Sequence, residues 1–328
     1  MNKTLITGGL GFIGSSISEE LLKRKLTDKC ILVDNFGSYM NPLKDDFIDF
    51  RKQRFSSLKN TIIERCDTSN YKTISMLINK HKPDYIYHTA ALPLAKVSNL
   101  NNEEAKISSV DSTLNIIDSI INLSTRNKSY KCKRFVYFSS SMVYGDFETP
   151  SVNEKSKKNP KDAYGIMKLA GEIVTEGVCT LHSIPYTIIR PSAVYGPKDM
   201  NRRVSQIFME NAFKNEKIII QGKDEKLDFT FIKDLTDGSI KAAKSNNGIN
   251  QIFNITCGKG QSLLSFVLYL KKKFPNLKYE IKKKDKSKPS RGTLSIKKAQ
   301  KLLGYKPKFK LKDGIAEYIK FLKSNKVF

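Results

Sequence analysis

The chain has no tryptophan, three histidines, five cysteines and ten arginines among 328 residues. His81, His88 and His182 share no ligand spacing, so a metal centre is not expected. Cys30, Cys66, Cys132, Cys179 and Cys257 are odd in number and form no Cys-x-x-Cys pair. That removes the signature of a zinc or dithiol motif and gives no basis for a disulfide framework in a chain this long. Reduced thiols, and with them a cytoplasmic location, are the expectation. No apolar run approaches the roughly 18–20 residues that cross a bilayer, so no membrane span is expected. The start, Met1-Asn2-Lys3-Thr4, passes directly into a strand pattern with no small-residue cleavage site, which argues against a secretory signal. Acids are scarce as well: 32 Asp and Glu face 58 Lys and Arg, a net charge of +26. Arginine is the residue suited to bidentate reading of phosphates and bases. Its scarcity favours a lysine-covered, solvated surface over a nucleic-acid interface, although such a surface still attracts small anions.

What is present is globular: 39% apolar, 10% aromatic and 27% charged residues, with length for about two domains. The first half alternates short β-branched runs with helical patterns. Strands are predicted at Lys3–Thr7, Cys30–Asp34, Thr61–Arg65, Tyr85–His88, Arg134–Ser139 and Tyr186–Arg190. Between them lie segments long enough for crossover helices, at Phe12–Lys25, Ser69–His81, Asp111–Leu123 and Ala163–His182. Strands alternating with helices imply an α/β fold with a doubly wound parallel sheet covered on both faces. After Pro197 helices dominate, at Arg203–Asn215, Leu235–Lys244, Ser262–Phe274, Ile296–Leu303 and Gly314–Ser324. Short strands are expected at Ile218–Gln221, Phe229–Ile232 and Ile252–Ile255. The pattern divides the chain into a Rossmann-type domain over 1–195, rejoined by segments near 225–257, and a smaller, mostly helical lobe over 196–328. The basic stretch Lys282–Gly292 reads as a surface loop.

The first strand runs into Thr7-Gly8-Gly9-Leu10-Gly11-Phe12-Ile13-Gly14. Glycines at 8, 11 and 14 suit a tight turn, a close backbone approach to a pyrophosphate and close helix–strand packing. The helix beginning at Phe12-Ile13 then offers its N-terminus to the phosphates. A glycine triplet serves equally in any tight turn. Here a strand precedes it, an amphipathic helix follows, and the second strand ends in Asp34, twenty residues past Gly14. A carboxylate there accepts hydrogen bonds from an adenosine ribose. Asp34 is followed by Asn35 and Phe36, with no adjacent arginine for a 2′-phosphate, so NAD is favoured over NADP. Asp67, just past the third strand, is placed either to meet the adenine amine or to close an ordinary turn.

Tyr164 and Lys168 stand i, i+4 at the start of a predicted helix and share one face. An ammonium beside a phenol stabilises the phenolate and lowers its pKa from about 10, which suits a general base. Such pairs are common by chance. The run Ser139-Ser140-Ser141-Met142-Val143-Tyr144-Gly145 follows the fifth strand, and strand carboxyl ends are where open α/β sheets bind ligands. A serine there can hydrogen-bond a substrate hydroxyl beside the tyrosine, or merely cap a loop.

Taken in order, these motifs resemble the extended short-chain dehydrogenase/reductases, the family of NAD-dependent sugar-nucleotide epimerases and dehydratases. The likeness covers nearly the whole chain. It adds His88-Thr89-Ala90-Ala91, Arg190-Pro191 with Val194-Tyr195-Gly196-Pro197, and the segment Asp228–Leu235. It continues through Phe253-Asn254-Ile255 and Ser295–Tyr305. The resemblance implies Tyr164 as the base, Lys168 holding the nicotinamide ribose and Ser140 as the small hydroxyl. It implies a cofactor site made by Gly8, Gly11, Phe12, Ile13, Gly14, Asp34, Asn35, Asp67, Ala90 and Ala91, together with Tyr164 and Lys168. Ser140, Ser141, Met142, Ala193 and Arg291 would face a nucleotide-sugar substrate in the C-terminal lobe. A homodimer through the helices Asp111–Leu123 and Ala163–His182 is implied as well.

Departures from the family pattern narrow the reaction. Related 4,6-dehydratases carry an Asp-Glu pair after the catalytic hydroxyl residue, where this chain has Ser141 and Met142. The acid and base for water elimination are absent. Sugar-nucleotide decarboxylases usually keep a glutamate at the Met142 position, so that reaction loses support too. What remains is C4 epimerisation or 4-keto reduction, and the Ser-x-x-Val-Tyr-Gly form resembles the 4-epimerases. Ala193 stands in place of the family's usual Asn, and Leu227 in place of the Arg of many UDP-sugar enzymes. Arg291 matches the other common phosphate-binding arginine, while Lys226, Arg202 and Arg203 are candidate compensators. UDP is the default nucleotide. The basic segment 36–60, with Arg51, Lys52 and Arg54, has no assigned role. The non-enzymatic rival, a Rossmann-fold RNA-binding protein exploiting the +26 charge, leaves the Ser/Tyr/Lys set without purpose.

Overall fold

The computed structural model describes residues 2–37, 54, 60–92, 101–201, 203–285 and 288–325. Most of the basic segment 36–60, Arg51 and Lys52 included, lies outside the described residues, as does Arg202. Seven short runs form one parallel sheet: β1 (Lys3–Thr7), β2 (Lys29–Asp34), β3 (Thr61–Arg65), β4 (Tyr85–His88), β5 (Arg134–Phe138), β6 (Tyr186–Arg190) and β7 (Gln251–Asn254). Their spatial order is β3-β2-β1-β4-β5-β6-β7. The order reverses between β1 and β4, where doubly wound sheets open a crevice for ligands. The expected α/β class holds.

The sheet is buried on both faces because apolar residues occupy both parities of its strands. Ile6, Leu32, Tyr87, Val136 and Ile189 pack toward α1 (Phe12–Lys23) and Ile232–Lys244. Leu5, Ile31, Ile86, Phe135 and Ile188 pack toward α2 (Tyr71–His81) and α3 (Ser112–Arg126). Each such side chain contributes about 1.5–3 kcal/mol by leaving water. Asn70 caps α2 by accepting the Thr73 N–H at 3.1 Å. Asp162 caps α4 (Ala163–Leu181) by accepting the Gly165 N–H at 2.7 Å. That cap fixes the start of the helix carrying Tyr164 and Lys168.

The C-terminal part has its own core around Tyr195, Phe208, Phe229, Phe231 and Phe266, with edge-on ring contacts at 5.5–6.2 Å from Tyr195. Two differences from the sequence reading appear. The strand expected at Phe229–Ile232 shrinks to Thr230–Phe231, because the next helix begins at Ile232. Two-residue pairings also join Ser151–Val152 to Thr293–Leu294 and Lys226–Leu227 to Gln261–Ser262. Pairings that short have no readable period. Among the described residues no helix is long and apolar enough to cross a membrane. All five cysteines are free.

Candidate active site

One cleft of about 1510 Å³ lies at the carboxyl edge of the sheet, between it and the C-terminal part. The catalytic, cofactor and substrate residues named above line it: Gly8, Gly11–Gly14, Asp34, Asn35, Asp67, Ala90, Ala91, Ser140–Met142, Tyr164, Lys168, Ala193 and Arg291; of the candidate compensators Arg203 does and Lys226 does not. The volume exceeds that of a single drug-sized pocket and suits two nucleotide-sized ligands.

The glycine turn is built for a backbone close to a ligand. Gly8 has φ +63°, the left-handed region, and a Cβ there would sit 2.8 Å from the Ala90 nitrogen. A Cβ on Gly14 would lie 2.3 Å from the Gly8 carbonyl oxygen. α1 then starts with no side-chain cap and no acid in its first turn. Its first N–H groups and its dipole therefore face the cleft free for a phosphate. These residues fit a dinucleotide.

Asp34 does more than expected. Its carboxylate accepts the Leu10 N–H at 3.1 Å and the Phe36 N–H at 2.9 Å, so it ties β2 to the glycine turn. Burial pushes its carboxyl up, against those two bonds and the nearby Arg54 charge. Asp67 accepts the Ser69 N–H and hydroxyl at 2.9 and 2.7 Å and the Asn35 amide at 3.2 Å. Burial pushes it upward, but those bonds outweigh burial and hold it below the usual carboxylate value. Arg54 is a residue the sequence left without a role. It donates to the Leu10 carbonyl at 3.0 Å and to the Lys198 carbonyl at 3.1 and 2.6 Å, joining the glycine turn to the chain beyond Pro197.

Tyr164, Lys168 and Ser140 come together as the spacing predicts, with one correction. Lys168 is buried and its Nζ donates to the Phe138 carbonyl at 2.7 Å, 5.9 Å from the Tyr164 ring centre. Burial lowers it to about 7, partly countered by Glu172. The phenol of Tyr164 is not lowered by Lys168. Burial raises it, and the opposing influences are the Arg203 charge and a hydrogen bond with Ser140. Desolvation dominates because the ammonium is engaged with a carbonyl and the ring sits deep in the cleft. His88, behind them, is held neutral by burial and the Lys168 charge, its pKa pushed down to about 3. Its ring nitrogens meet Thr7 Oγ1 at 2.7 Å and Ser112 Oγ at 3.3 Å.

At the opposite end the cleft presents cations. The Nε atoms of Arg203 and Arg291 are buried with no hydrogen-bond partner among the described residues. Burial lowers Arg291 to about 10, with Asp162 and Glu225 opposing. The stretch expected to be a surface loop is exposed at Lys283, Lys288 and Ser290, and it also lines the cleft through Lys284, Lys288, Pro289 and Arg291. Leu227 lines the cleft as an apolar residue. Ala193 has φ +38°, a conformation that disfavours alanine and is tolerated better by asparagine.

A parallel doubly wound sheet, a glycine turn at its first strand and a Tyr/Lys pair whose lysine is buried define a dinucleotide-dependent enzyme. The chain belongs to the NAD dependent epimerase/dehydratase family, whose model matches residues 4–256. It is 29% identical over 328 residues to the uncharacterized UDP-glucose epimerase YtcB of Bacillus subtilis, with 98% of each chain covered. It is 28% identical over 338 residues to a putative UDP-glucose 4-epimerase of Methanocaldococcus jannaschii, again with 98% of each covered. Among solved structures it resembles the UDP-glucuronic acid 4-epimerase of Bacillus cereus in complex with UDP-glucuronic acid and NAD. That match has a TM-score of 0.85 at 25% identity and covers 98% of this chain and 99% of that one.

Proposed function

We propose that the protein inverts C4 of a UDP-sugar through a transient 4-keto sugar, with NAD as resident cofactor. The observation that carries this reading is the convergence of Ser140, Tyr164 and Lys168 on one cleft, with Ser140 on a loop whose next residues are Ser141 and Met142. That loop offers a hydroxyl beside the proposed base and no carboxylate for elimination.

The residues divide the work as follows. The glycine turn and the α1 N-terminus hold the pyrophosphate, Asp34 and Asn35 the adenosine ribose, Asp67 the adenine, and Ala90 and Ala91 line the cofactor. Tyr164 as phenolate accepts the proton of the sugar 4-hydroxyl, Ser140 shares that hydrogen bond, and Lys168 holds the nicotinamide ribose. Bound NAD supplies the reversible hydride acceptor, and its positive ring favours the phenolate. Arg203 and Arg291 hold the diphosphate, with Ser141, Met142 and Ala193 beside the sugar, which would turn so that C4 presents its opposite face to the cofactor before Tyr164 returns its proton to the C4 oxygen. Residues 1–195 with the returning segments serve the cofactor, and 196–328 serve the nucleotide sugar. A cytoplasmic homodimer belongs to the same reading, supported by free cysteines and by Ile166 and Ile173, 47% and 65% exposed seven residues apart on α4.

The test is incubation with UDP-glucose, UDP-glucuronic acid and their GDP-, CDP- and dTDP-counterparts, followed by proton NMR and absorbance at the NADH band. A C4 epimer at equilibrium with no net NADH is expected. Consumption of NADH with a 4-keto sugar nucleotide and no epimer would make the protein a ketoreductase instead. Salt-sensitive RNA binding without any turnover would leave neither reading standing.

A further inference from the structure

Beneath the proposed base lies a buried ionic cluster to which the reaction as described assigns nothing. Glu172 stands one helical turn beyond Lys168, on the stripe of α4 that carries Tyr164, Lys168 and Glu172 at i, i+4 and i+8. Its side chain is 3% exposed and that of Arg190 is 1%. The two form a fork: Arg190 Nε donates to Oε1 at 2.8 Å and Nη2 to Oε2 at 2.6 Å. Ser139 Oγ donates to the same Oε1. Arg190 Nη1 donates to the Tyr144 hydroxyl at 2.9 Å and to the Glu154 carbonyl at 3.1 Å. The Tyr144 hydroxyl in turn donates to Asn254 Oδ1 at 2.8 Å.

Ser139 and Tyr144 are the two ends of the short segment that carries Ser140. A single ion pair therefore grips both ends. The backbone repeats the pattern, since the Ser139 and Ser141 N–H groups donate to the Ile189 and Pro191 carbonyls at 2.8 and 2.9 Å, on either side of Arg190. A surface ion pair would hold little. This one is out of water, bidentate and hydrogen-bonded on every side, which makes it a rigid fastening.

We propose that Glu172 is a positioning residue of this site: with Arg190 it clamps both ends of the Ser140 loop to the helix that carries Tyr164 and Lys168, and it supplies the carboxylate charge next to Lys168. This rests on the reading of Tyr164, Lys168 and Ser140 given above. The groups around Lys168 are Glu172 and Tyr164 on its own helix, Tyr137 on β5 with its ring centre 5.1 Å away, and His88 on β4. Glu172 is the one that favours the ammonium; His88 is neutral. The groups facing Glu172 are Arg190 on β6, with Ser139 and Tyr137 at and beyond the end of β5.

The experiment compares wild type with Glu172→Gln and with the double variant Glu172→Gln/Arg190→Gln, which leaves no unpaired buried arginine. Turnover is read as kcat and KM over pH, and Tyr164 and Lys168 are titrated by NMR of ¹³C-labelled tyrosine and lysine in the NAD-loaded protein. In the double variant kcat is expected to fall about 10–100-fold with KM within threefold. In Glu172→Gln, which keeps the Arg190 charge, the ammonium of Lys168 should be lost at lower pH than in wild type, and the alkaline limb of kcat should move with it. Ser139→Ala, which changes no charge, should lower kcat several-fold without moving that limb. Unchanged titrations together with an unchanged kcat in a folded variant would overturn the proposal. So would a loss of kcat with no titration shift, which marks a purely structural pair. The titrations need no sugar, so a wild type that epimerises nothing would fail the functional reading and still leave the role of Glu172 measured.

Discussion

In the cofactor half of the cleft the charged groups already have partners: Asp34 holds two backbone N–H groups and Asp67 three donors. In the half proposed for the sugar nucleotide, Arg203 and Arg291 keep buried Nε atoms with no hydrogen-bond partner among the described residues. The first half is shaped before anything binds, by backbone conformation and short-range hydrogen bonds. The second holds unspent positive charge, which is costly when buried and becomes favourable when an anion arrives. A resident cofactor suits the first arrangement, and a substrate that enters and leaves suits the second.

Tyr164→Phe strikes the junction of the two halves and should have the largest effect. Turnover is expected to fall about 10²–10⁴-fold, the range for losing a general base. Neither NAD affinity nor melting temperature should change appreciably, as calorimetry and a thermal scan would show. Arg291→Ala comes next. Sugar-nucleotide affinity should weaken about 10–100-fold, the loss expected for a hydrogen bond to a charged group. NAD affinity should stay the same, and the unliganded protein should be little destabilised, because the buried Nε gives up no hydrogen bond among the described residues. Equal losses for both ligands in isothermal titration would show that the halves are not separate. Asp34→Asn should do the reverse, weakening NAD about tenfold while leaving the sugar nucleotide unaffected.

The smallest effect concerns stability. Burial lowers Lys168 to about 7 from 10.5. Between those values the unfolded chain binds the extra proton, so wild-type stability gains as pH rises through this window. The penalty for burying the ammonium is fully present below pH 7. Lys168→Met should therefore raise the melting temperature more at pH 6.5 than at pH 9, by roughly 2–4 °C. A gap that does not change with pH would mean that Lys168 is solvated in the folded state, and one that widens toward alkaline pH that its ammonium is stabilised there.

The cofactor half was legible because its signals are local. Gly8 to Gly14 is seven residues, Asp34 ends the next strand, and Tyr164 and Lys168 are four apart on one helix. The sugar-nucleotide half was legible only by resemblance. Arg291 falls in a basic stretch that reads as a solvated loop, and nothing in its spacing places it across from Tyr164. Glu172 was missed altogether, although its i+4 distance from Lys168 was a usable signal. Arg54 was noticed for its charge, while its bonds run to Leu10 and Lys198, 44 and 144 residues away. Helical spacing gives Tyr164 and Lys168 a shared face but not the burial that raises the phenol or the carbonyl that holds the ammonium.

By itself the sequence determined what depends on short-range periodicity and backbone stereochemistry. The parallel strands, the crossover helices, the turn that only glycine can make and the family to which the chain belongs are of this kind. The tertiary structure alone decided which charges are left unpaired, which are desolvated and which are clamped. Those properties depend on the local dielectric and on partners brought together from strands far apart in the chain, and no spacing rule encodes either.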